Sequence, residues 1–167
     1  MKYELKHLHC GDNLLKSQKR EIDEIEFVIE SVKWEKEKEV NDETKIFKHQ
    51  SAYNKIFENE FEKLNWNKKP MLSKQPRLIG DFQKGLVFIE VQFGNSATLY
   101  RDFYKFQYGF QKGLLSLSVL IVPKKPTEFF PNRGASVSNM AEYELALRYF
   151  TILPISVPTI LIGLESD

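Results

Sequence analysis

The stretch that decides the fold is LIGDFQKGLVFIEVQFGN, residues 78–95. Two short apolar runs flank a turn that contains glycine, which is typical of a β-hairpin. Asp81 ends the first run, while Glu90 and Gln92 lie two residues apart in the second and so point to one face of a strand. The other face carries Ile89, Val91 and Phe93. Polar groups on such an apolar strand need a partner such as a metal ion, unless the strand is half-exposed and they face water.

Two amphipathic helices are predicted before this hairpin, over residues 19–38 and 51–66, with Ser51 as the N-cap of the second. Residues 2–8 are predicted to form a short strand. The apolar positions of the two helices repeat at helical spacing: Ile22, Ile25, Ile29 and Val32 in the first, and Tyr53, Phe57, Phe61 and Leu64 in the second.

The chain after the hairpin is predicted to alternate helix and strand. Thr98 is a candidate cap for a helix with an apolar stripe, and residues 114–122 are a candidate buried strand. A loop over residues 124–138 leads to a helix from Asn139 or Met140, and residues 157–164 form a last strand. The stripe consists of Leu99, Phe103, Phe106 and Phe110. This order predicts an α/β fold in which helices flank a mixed β-sheet.

Length and composition predict one domain over residues 1–167, with a helical part at about 1–66 and the hairpin and sheet at about 67–165. No apolar stretch is long enough for a membrane span, and the N-terminus lacks the features of a secretory signal. The single cysteine, Cys10, fits a reducing compartment, so we expect the cytoplasm. His7, His9 and Cys10 are closely spaced, but His49 is the one other histidine, so no zinc site is expected.

Charge is unevenly distributed although the net charge is only +1. Residues 63–133 contain 12 Lys/Arg against 4 Asp/Glu. Such a segment can follow a phosphate backbone, although a solvated basic face is the simpler explanation. The sequence has no nucleophile elbow, Walker loop or dinucleotide fingerprint, which argues against those enzyme classes.

The hairpin resembles the active-site motif of the PD-(D/E)xK nucleases, with glutamine in place of the usual lysine. Asp81, nine residues before Glu90, and the string EVQFGN at 90–95 are similar to restriction enzymes of the BglII and BstYI group. The similarity covers roughly residues 60–165 and continues in LNW at 64–66, FFPNRGASVSNMAEYELA at 129–146 and VPTILIGL at 157–164. The chain ends soon after, so we expect it to lack the C-terminal extension of larger members.

The resemblance implies a restriction-endonuclease-like fold and a site for Mg²⁺. The metal would be held by Asp81, Glu90 and the backbone carbonyl of Val91, and Gln92 would orient the attacking water. Glu60 and Glu62 are candidates for an auxiliary acid, although solvated surface glutamates are the more common case.

The resemblance also implies that the partner is double-stranded DNA. Asn95 and Ser96 follow the catalytic strand, and a second group of candidate base contacts consists of Asn132, Arg133, Ser136, Ser138 and Asn139. Alternatively, Ser138 caps a helix, and Asn132 and Gly134 shape a turn. Candidates for phosphate contacts are Lys68, Lys69, Lys74, Arg77 and Lys84.

A palindrome with a GATC core is the expected target, and a homodimer reads a palindrome most simply. Residues 100–110 carry more aromatic side chains than one core-facing stripe can bury, so their second face is either a dimer interface or is covered by the N-terminal helices. Two other functions stay open: a PD-(D/E)xK repair or junction-resolving nuclease, and a DNA-binding module without catalysis.

Overall fold

The computed structural model describes residues 1–9, 12–43 and 45–166. Its ten strands are β1 (Tyr3–Leu8), β2 (Glu39–Asp42), β3 (Lys45–Lys48), β4 (Asn67–Lys68), β5 (Met71–Ser73), β6 (Leu78–Ile79), β7 (Phe82–Lys84), β8 (Val87–Val91), β9 (Leu117–Pro123) and β10 (Thr159–Leu164). Its α-helices are α1 (Asp12–Ser17), α2 (Lys19–Ser31), α3 (Gln50–Lys63), α4 (Leu99–Gln111), α5 (Pro126–Phe129) and α6 (Tyr143–Ile152). Two 3₁₀ helices span Ser96–Thr98 and Gly134–Asn139.

A six-stranded mixed sheet has the strand order β1-β10-β9-β8-β7-β4. The three central strands β8, β9 and β10 run parallel to one another, while β1, β7 and β4 pair antiparallel at the edges. Two separate hairpins, β2–β3 and β5–β6, lie outside this sheet. The predicted α/β fold with a mixed sheet flanked by helices is confirmed.

Helices cover both faces of the sheet, which explains why β9 and β10 are buried along their whole length. The apolar side chains of α2 and α3 pack on one face, against the strand positions that include Ile89 and Val119. Those of α4 and α6 pack on the other face, against positions that include Phe88 and Leu120. Glu90, two residues after Phe88, therefore lies on the α4 side of the sheet.

The N-terminal part contains more strand than its sequence pattern predicts. Helix α2 ends at Ser31 rather than near residue 38, because the chain turns extended at Val32 and the Trp34 indole N–H donates to the Phe129 carbonyl, 3.1 Å away. The β2–β3 hairpin follows. Its side chains are mostly exposed and highly charged, so no apolar alternation marked it in the sequence.

The predicted caps of the later helices are also wrong. Helix α3 begins one residue before Ser51, whose hydroxyl instead donates to the Lys48 carbonyl. Thr98 makes no side-chain cap, because the preceding 3₁₀ helix, capped by Asn95, continues into α4. Helix α6 begins at Tyr143 rather than near residue 139, so Ser138 does not cap it.

Within the segments that the structure covers, no helix has both the length and the apolarity to cross a membrane.

We expect Phe61→Ala to lower the free energy of unfolding by about 3–5 kcal/mol, because it removes a large buried side chain and leaves a cavity. Phe61 is fully buried and contacts the rings of Phe82 and Trp66. The control is Phe27→Ala, at a side chain that is 60% exposed, which should change stability by less than about 0.5 kcal/mol. Urea denaturation of both variants measures the difference, and equal losses would contradict this description of the core.

Candidate functional site

The β7–β8 hairpin brings Asp81 to the end of strand β8. Asp81 lies just before β7, and one of its carboxylate oxygens, Oδ2, accepts a hydrogen bond of 2.8 Å from the backbone N–H of Val91. Its own N–H donates to the carbonyl of Ile89. The nine-residue gap between Asp81 and Glu90 is therefore the length of chain that a tight hairpin needs to return beside its starting point.

Glu90 is buried in β8, with only 3% of its surface exposed. Its Oε1 lies 2.7 Å from Nζ of Lys105 on α4, although this ion pair does not have the angles of a good hydrogen bond. Burial raises the pKa of Glu90 well above its ordinary value, and the charges of Asp81 and Asp102 raise it further against the opposing effect of Lys105. The ionised form of Glu90 is thus disfavoured here, and a further positive charge nearby would favour it.

Gln92 follows β8 and is held at both ends of its amide. Its Nε2 donates to Oδ2 of Asp102 over 2.8 Å, and its Oε1 accepts from the backbone N–H of Gly94 over 2.8 Å. An amide has a second hydrogen and a second lone pair, so these bonds fix the side chain without using its full capacity.

Helix α4 supplies two site residues that the sequence analysis missed, Asp102 and Lys105. Both are buried, and Lys105 Nζ lies 2.9 Å from Oδ1 of Asp102. Burial by itself lowers the pKa of Lys105, but the Glu90 and Asp102 carboxylates outweigh it and raise that pKa. Asp102 is three residues after Leu99 and one before Phe103, in the apolar stripe, and a charge at such a position was the signal available in the sequence.

A cavity of about 200 Å³ opens beside Asp81 and Val91. Helix α3 borders it with Asn54 and Glu58, and the other lining residues are Phe57, Lys68, Lys69 and Phe82. Burial raises the pKa of Asp81, while the Val91 N–H lowers it. The acidic side chain that α3 brings to this cavity is Glu58.

The two glutamates proposed as auxiliary acids do not line the cavity. Glu60 pairs with Lys63, and Glu62 pairs with Lys68. Both ion pairs are at the surface of α3, which agrees with the alternative that these are solvated surface glutamates.

The donor set at the end of β8 fits a divalent cation. The charge of Asp81 is close enough to raise the pKa of Glu90, and added positive charge between the two carboxylates relieves that repulsion. Val91, which borders the cavity with Asp81, adds a backbone carbonyl, and Mg²⁺ prefers oxygen ligands. No group of three or more His, Cys, Asp or Glu side chains in the described part of the chain is arranged for a metal. Cys10, considered with His7 and His9 for zinc, lies outside the described residues.

The two segments predicted to contact bases lie side by side. Asn95 forms an isolated β-bridge with Met140, and the N–H of Ala141 donates to the Gly94 carbonyl over 2.9 Å. Within the first segment, the Asn95 side chain accepts from the N–H of Ala97 and so caps the 3₁₀ helix that begins at Ser96.

The second segment, residues 132–139, is largely a 3₁₀ helix. The Asn132 amide donates to the carboxylate of Glu37, and the Ser136 hydroxyl donates to the Arg133 carbonyl. Asn132, Ser136, Ser138 and Asn139 are exposed, and Arg133 is partly exposed. The segment is therefore a surface element, and Met140 and Ala141, which follow it, pair with the chain just after β8.

The basic residues predicted to contact phosphates differ in whether they already form ion pairs within the protein. Lys84 Nζ bonds both carboxylate oxygens of Glu24 and the Leu64 carbonyl, at 2.6–2.8 Å. Lys68 pairs with Glu58 and Glu62 on α3. The other three basic residues are exposed: Lys69 beside the cavity, and Lys74 and Arg77 in the β5–β6 turn.

Comparison with known proteins agrees with this geometry. A family model described as restriction endonuclease BglII/BglIII matches residues 3–164. Eight chains of solved structures match, among them the crystal structure of restriction endonuclease BglII complexed with a DNA 16-mer. That chain is 20% identical with a TM-score of 0.80, and the match covers 100% of this chain and 78% of that one. No curated protein matches. The structural likeness shows the fold, and the family model, which spans nearly the whole chain, shows that the chain belongs to the BglII/BglIII family of type II restriction endonucleases, which are site-specific deoxyribonucleases.

Proposed function

We propose that this restriction endonuclease hydrolyses phosphodiester bonds of double-stranded DNA with Mg²⁺ as cofactor, at a palindrome with a GATC core. The observation that carries the proposal is that the β7–β8 hairpin brings Asp81 to the end of β8, where its carboxylate accepts from the N–H of Val91, the residue after Glu90, and borders a cavity. Restriction endonucleases generally depend on a divalent metal, and the oxygen donors here suit Mg²⁺. The proposed compartment is the cytoplasm.

The proposed catalytic group consists of Asp81, Glu90 and Gln92, with Asp81, Glu90 and the Val91 carbonyl as the metal ligands. Bound Mg²⁺ would supply a water of lowered pKa and offset the negative charge that develops on the phosphorus. The Val91 N–H holds the Asp81 carboxylate in place at 2.8 Å. Gln92 cannot accept a proton as a base, so its proposed task is to orient the attacking water with the part of its amide that Asp102 and Gly94 leave available.

Two segments are proposed to read the bases. Asn95 and Ser96 follow the catalytic strand, and the second segment offers Asn132, Arg133, Ser136, Ser138 and Asn139. Arginine pairs best with guanine and asparagine with adenine in the major groove. Asn132 would have to exchange its bond to Glu37 for a base contact.

Basic side chains are proposed to position the duplex through its phosphates. Lys69, Lys74 and Arg77 are exposed and suited to this. Lys68 shares the edge of the cavity, and Lys84 would have to leave its ion pair with Glu24 to take part.

A homodimer is proposed, with α4 at the interface. Its Tyr100 and Tyr104 are 51% and 52% exposed, and on the neighbouring α6 Ile152 is 70% exposed. Tyr100 packs against Tyr149 of α6, with 5.0 Å between ring centroids, so the two helices share this apolar surface. Helices α2 and α3 pack on the opposite face of the sheet and do not cover it. Two such surfaces related by a two-fold axis would let each subunit cut one strand of a palindrome.

We expect Asp81→Asn to lower the rate of Mg²⁺-dependent cleavage at least about a hundredfold, because the variant loses a carboxylate ligand of a metal that supplies several kcal/mol of charge stabilisation. Glu60→Gln, at a surface carboxylate on α3, is the control and should cut like the wild type. The assay digests unmethylated and adenine-methylated phage DNA with and without Mg²⁺, and the fragment ends are sequenced.

Discrete fragments that share a palindromic end establish the proposed function and give the site. Cleavage of branched or damaged DNA without sequence dependence would indicate a repair or junction-resolving nuclease. Specific binding without any cleavage would indicate a DNA-binding module.

Arg133→Ala should weaken binding to the cognate duplex by about 1–3 kcal/mol, because a guanidinium paired with guanine supplies discrimination of that size. Binding is measured by fluorescence anisotropy in Ca²⁺, with cognate and scrambled duplexes. Arg20→Ala, on the exposed side of α2, is the matched control. Equal losses on both duplexes would assign Arg133 to the phosphates rather than to the bases.

Tyr104→Glu should shift the protein from dimer to monomer, with a dimer dissociation constant raised about tenfold or more, because a charge would be buried in an apolar interface. Analytical ultracentrifugation measures the change. Phe27→Glu places the same charge on an exposed aromatic position of α2 and should leave the dimer intact. A dimer that tolerates Tyr104→Glu would remove α4 from the interface.

A further inference from the structure

Helix α4 carries a buried ion cluster that meets the catalytic strand. Lys105 Nζ lies 2.7 Å from Glu90 Oε1 and 2.9 Å from Asp102 Oδ1, and all three residues are at most 5% exposed. Lys105 therefore contributes a positive charge to the place where the buried carboxylates are concentrated.

The cluster forms a continuous connection between α4 and both polar side chains on this face of the strand. Lys105 contacts Glu90 and Asp102, and the second oxygen of Asp102 accepts from Gln92 Nε2. Gln92 in turn accepts from the N–H of Gly94. Glu90 and Gln92 thus both have a partner on the same turn of α4.

Stability does not account for this arrangement. Exchanging a buried ion pair for apolar side chains of similar volume often costs nothing, because such a pair has lost its hydration. The neighbouring positions Leu99, Phe103 and Phe106 show that this face of α4 accepts apolar groups readily. Lys105 takes one oxygen of Glu90, and a carboxylate has a second oxygen for another cation.

We propose that Lys105 is a positioning residue for the cleavage reaction, which holds the Glu90 carboxylate in its metal-binding orientation and, through Asp102, steadies Gln92. The inference rests on the proposed function, because it assigns Lys105 to the same metal site. Without the ammonium, Glu90 would turn away from Asp81 and Asp102, whose charges repel it.

The test compares Lys105→Met with the double variant Asp102→Asn/Lys105→Met. The double variant removes one charge of each sign, so the net charge of the cluster stays the same, and asparagine keeps an oxygen acceptor for Gln92 Nε2. Lys112→Met, at the exposed end of α4, is the control. Thermal melts report folding, calorimetry reports Mn²⁺ binding, and single-turnover cleavage at saturating Mg²⁺ reports the chemical step.

We expect the double variant to melt close to the wild type and yet to bind Mn²⁺ and to cleave about 10- to 100-fold less well, as is usual when a residue that orients a metal ligand is lost. Lys105→Met should show the same losses together with a lower melting temperature, and Lys112→Met should show none. DNA affinity without a divalent cation should stay within about threefold of the wild type in all three, because no variant removes a predicted DNA contact.

Wild-type Mn²⁺ affinity and cleavage in the double variant would overturn the proposal, since Lys105 would then only balance charge. If Lys105→Met and the double variant both fail to fold, the cluster serves folding, and the proposal is likewise overturned. If the wild type binds Mn²⁺ but cleaves no DNA, the proposed function fails, and the Mn²⁺ affinities alone decide the case of Lys105.

Discussion

The repulsion among three carboxylates around the end of β8, two of them buried, is the constraint on which the rest of the site depends. The charge of Asp102 raises the pKa of Asp81, and the charges of Asp81 and Asp102 raise the pKa of Glu90. Each of the three carboxylates has a partner. Asp81 has a backbone N–H, Glu90 has an ammonium, and Asp102 has both that ammonium and the Gln92 amide. These partners come from the hairpin and from α4, so the two must hold a fixed relation for the cluster to exist. Three carboxylates against the one ammonium of Lys105 make this cluster acidic, which suits a divalent cation.

The sheet topology supplies that fixed relation. Strand β8 pairs antiparallel with β7 and parallel with β9, so it joins the hairpin to the parallel centre of the sheet. The chain leaves β8 past Gln92 and enters α4, which returns across one face of the sheet and brings Lys105 back to Glu90. Helix α3 covers the other face and closes the cavity with Glu58. The proposed catalytic groups thus come from β8 and the chain directly beside it, while the helices on the two faces of the sheet supply their surroundings.

The sequence could predict the parts of this arrangement that depend on local periodicity and on the motif. The hairpin, the central strands and the amphipathic character of α2, α3 and α4 all follow from spacing. The assignment of Asp81 and Glu90 to the site stays a prediction from the motif. The sequence could not predict the β2–β3 hairpin, which is stabilised without an alternating apolar face. The end of α2 depends on a contact between Trp34 and the distant Phe129. The contact of Lys105 with Glu90 depends on the packing of α4 over β8. Such contacts join residues far apart in the chain, so the local sequence pattern does not predict them.

If the two segments read bases and Gln92 orients the water as proposed, the bridge between Asn95 and Met140 has a consequence for fidelity. Asn95 is three residues from Gln92, and the Ala141 N–H is bonded to Gly94, the residue whose own N–H holds the Gln92 amide. A segment displaced by a mismatched base pair would therefore also displace the backbone at Gly94, whose N–H holds the Gln92 amide, because the two are bonded directly. The enzyme would then discriminate between sites by cleavage rate as well as by binding affinity, so a near-cognate site could be bound without being cleaved.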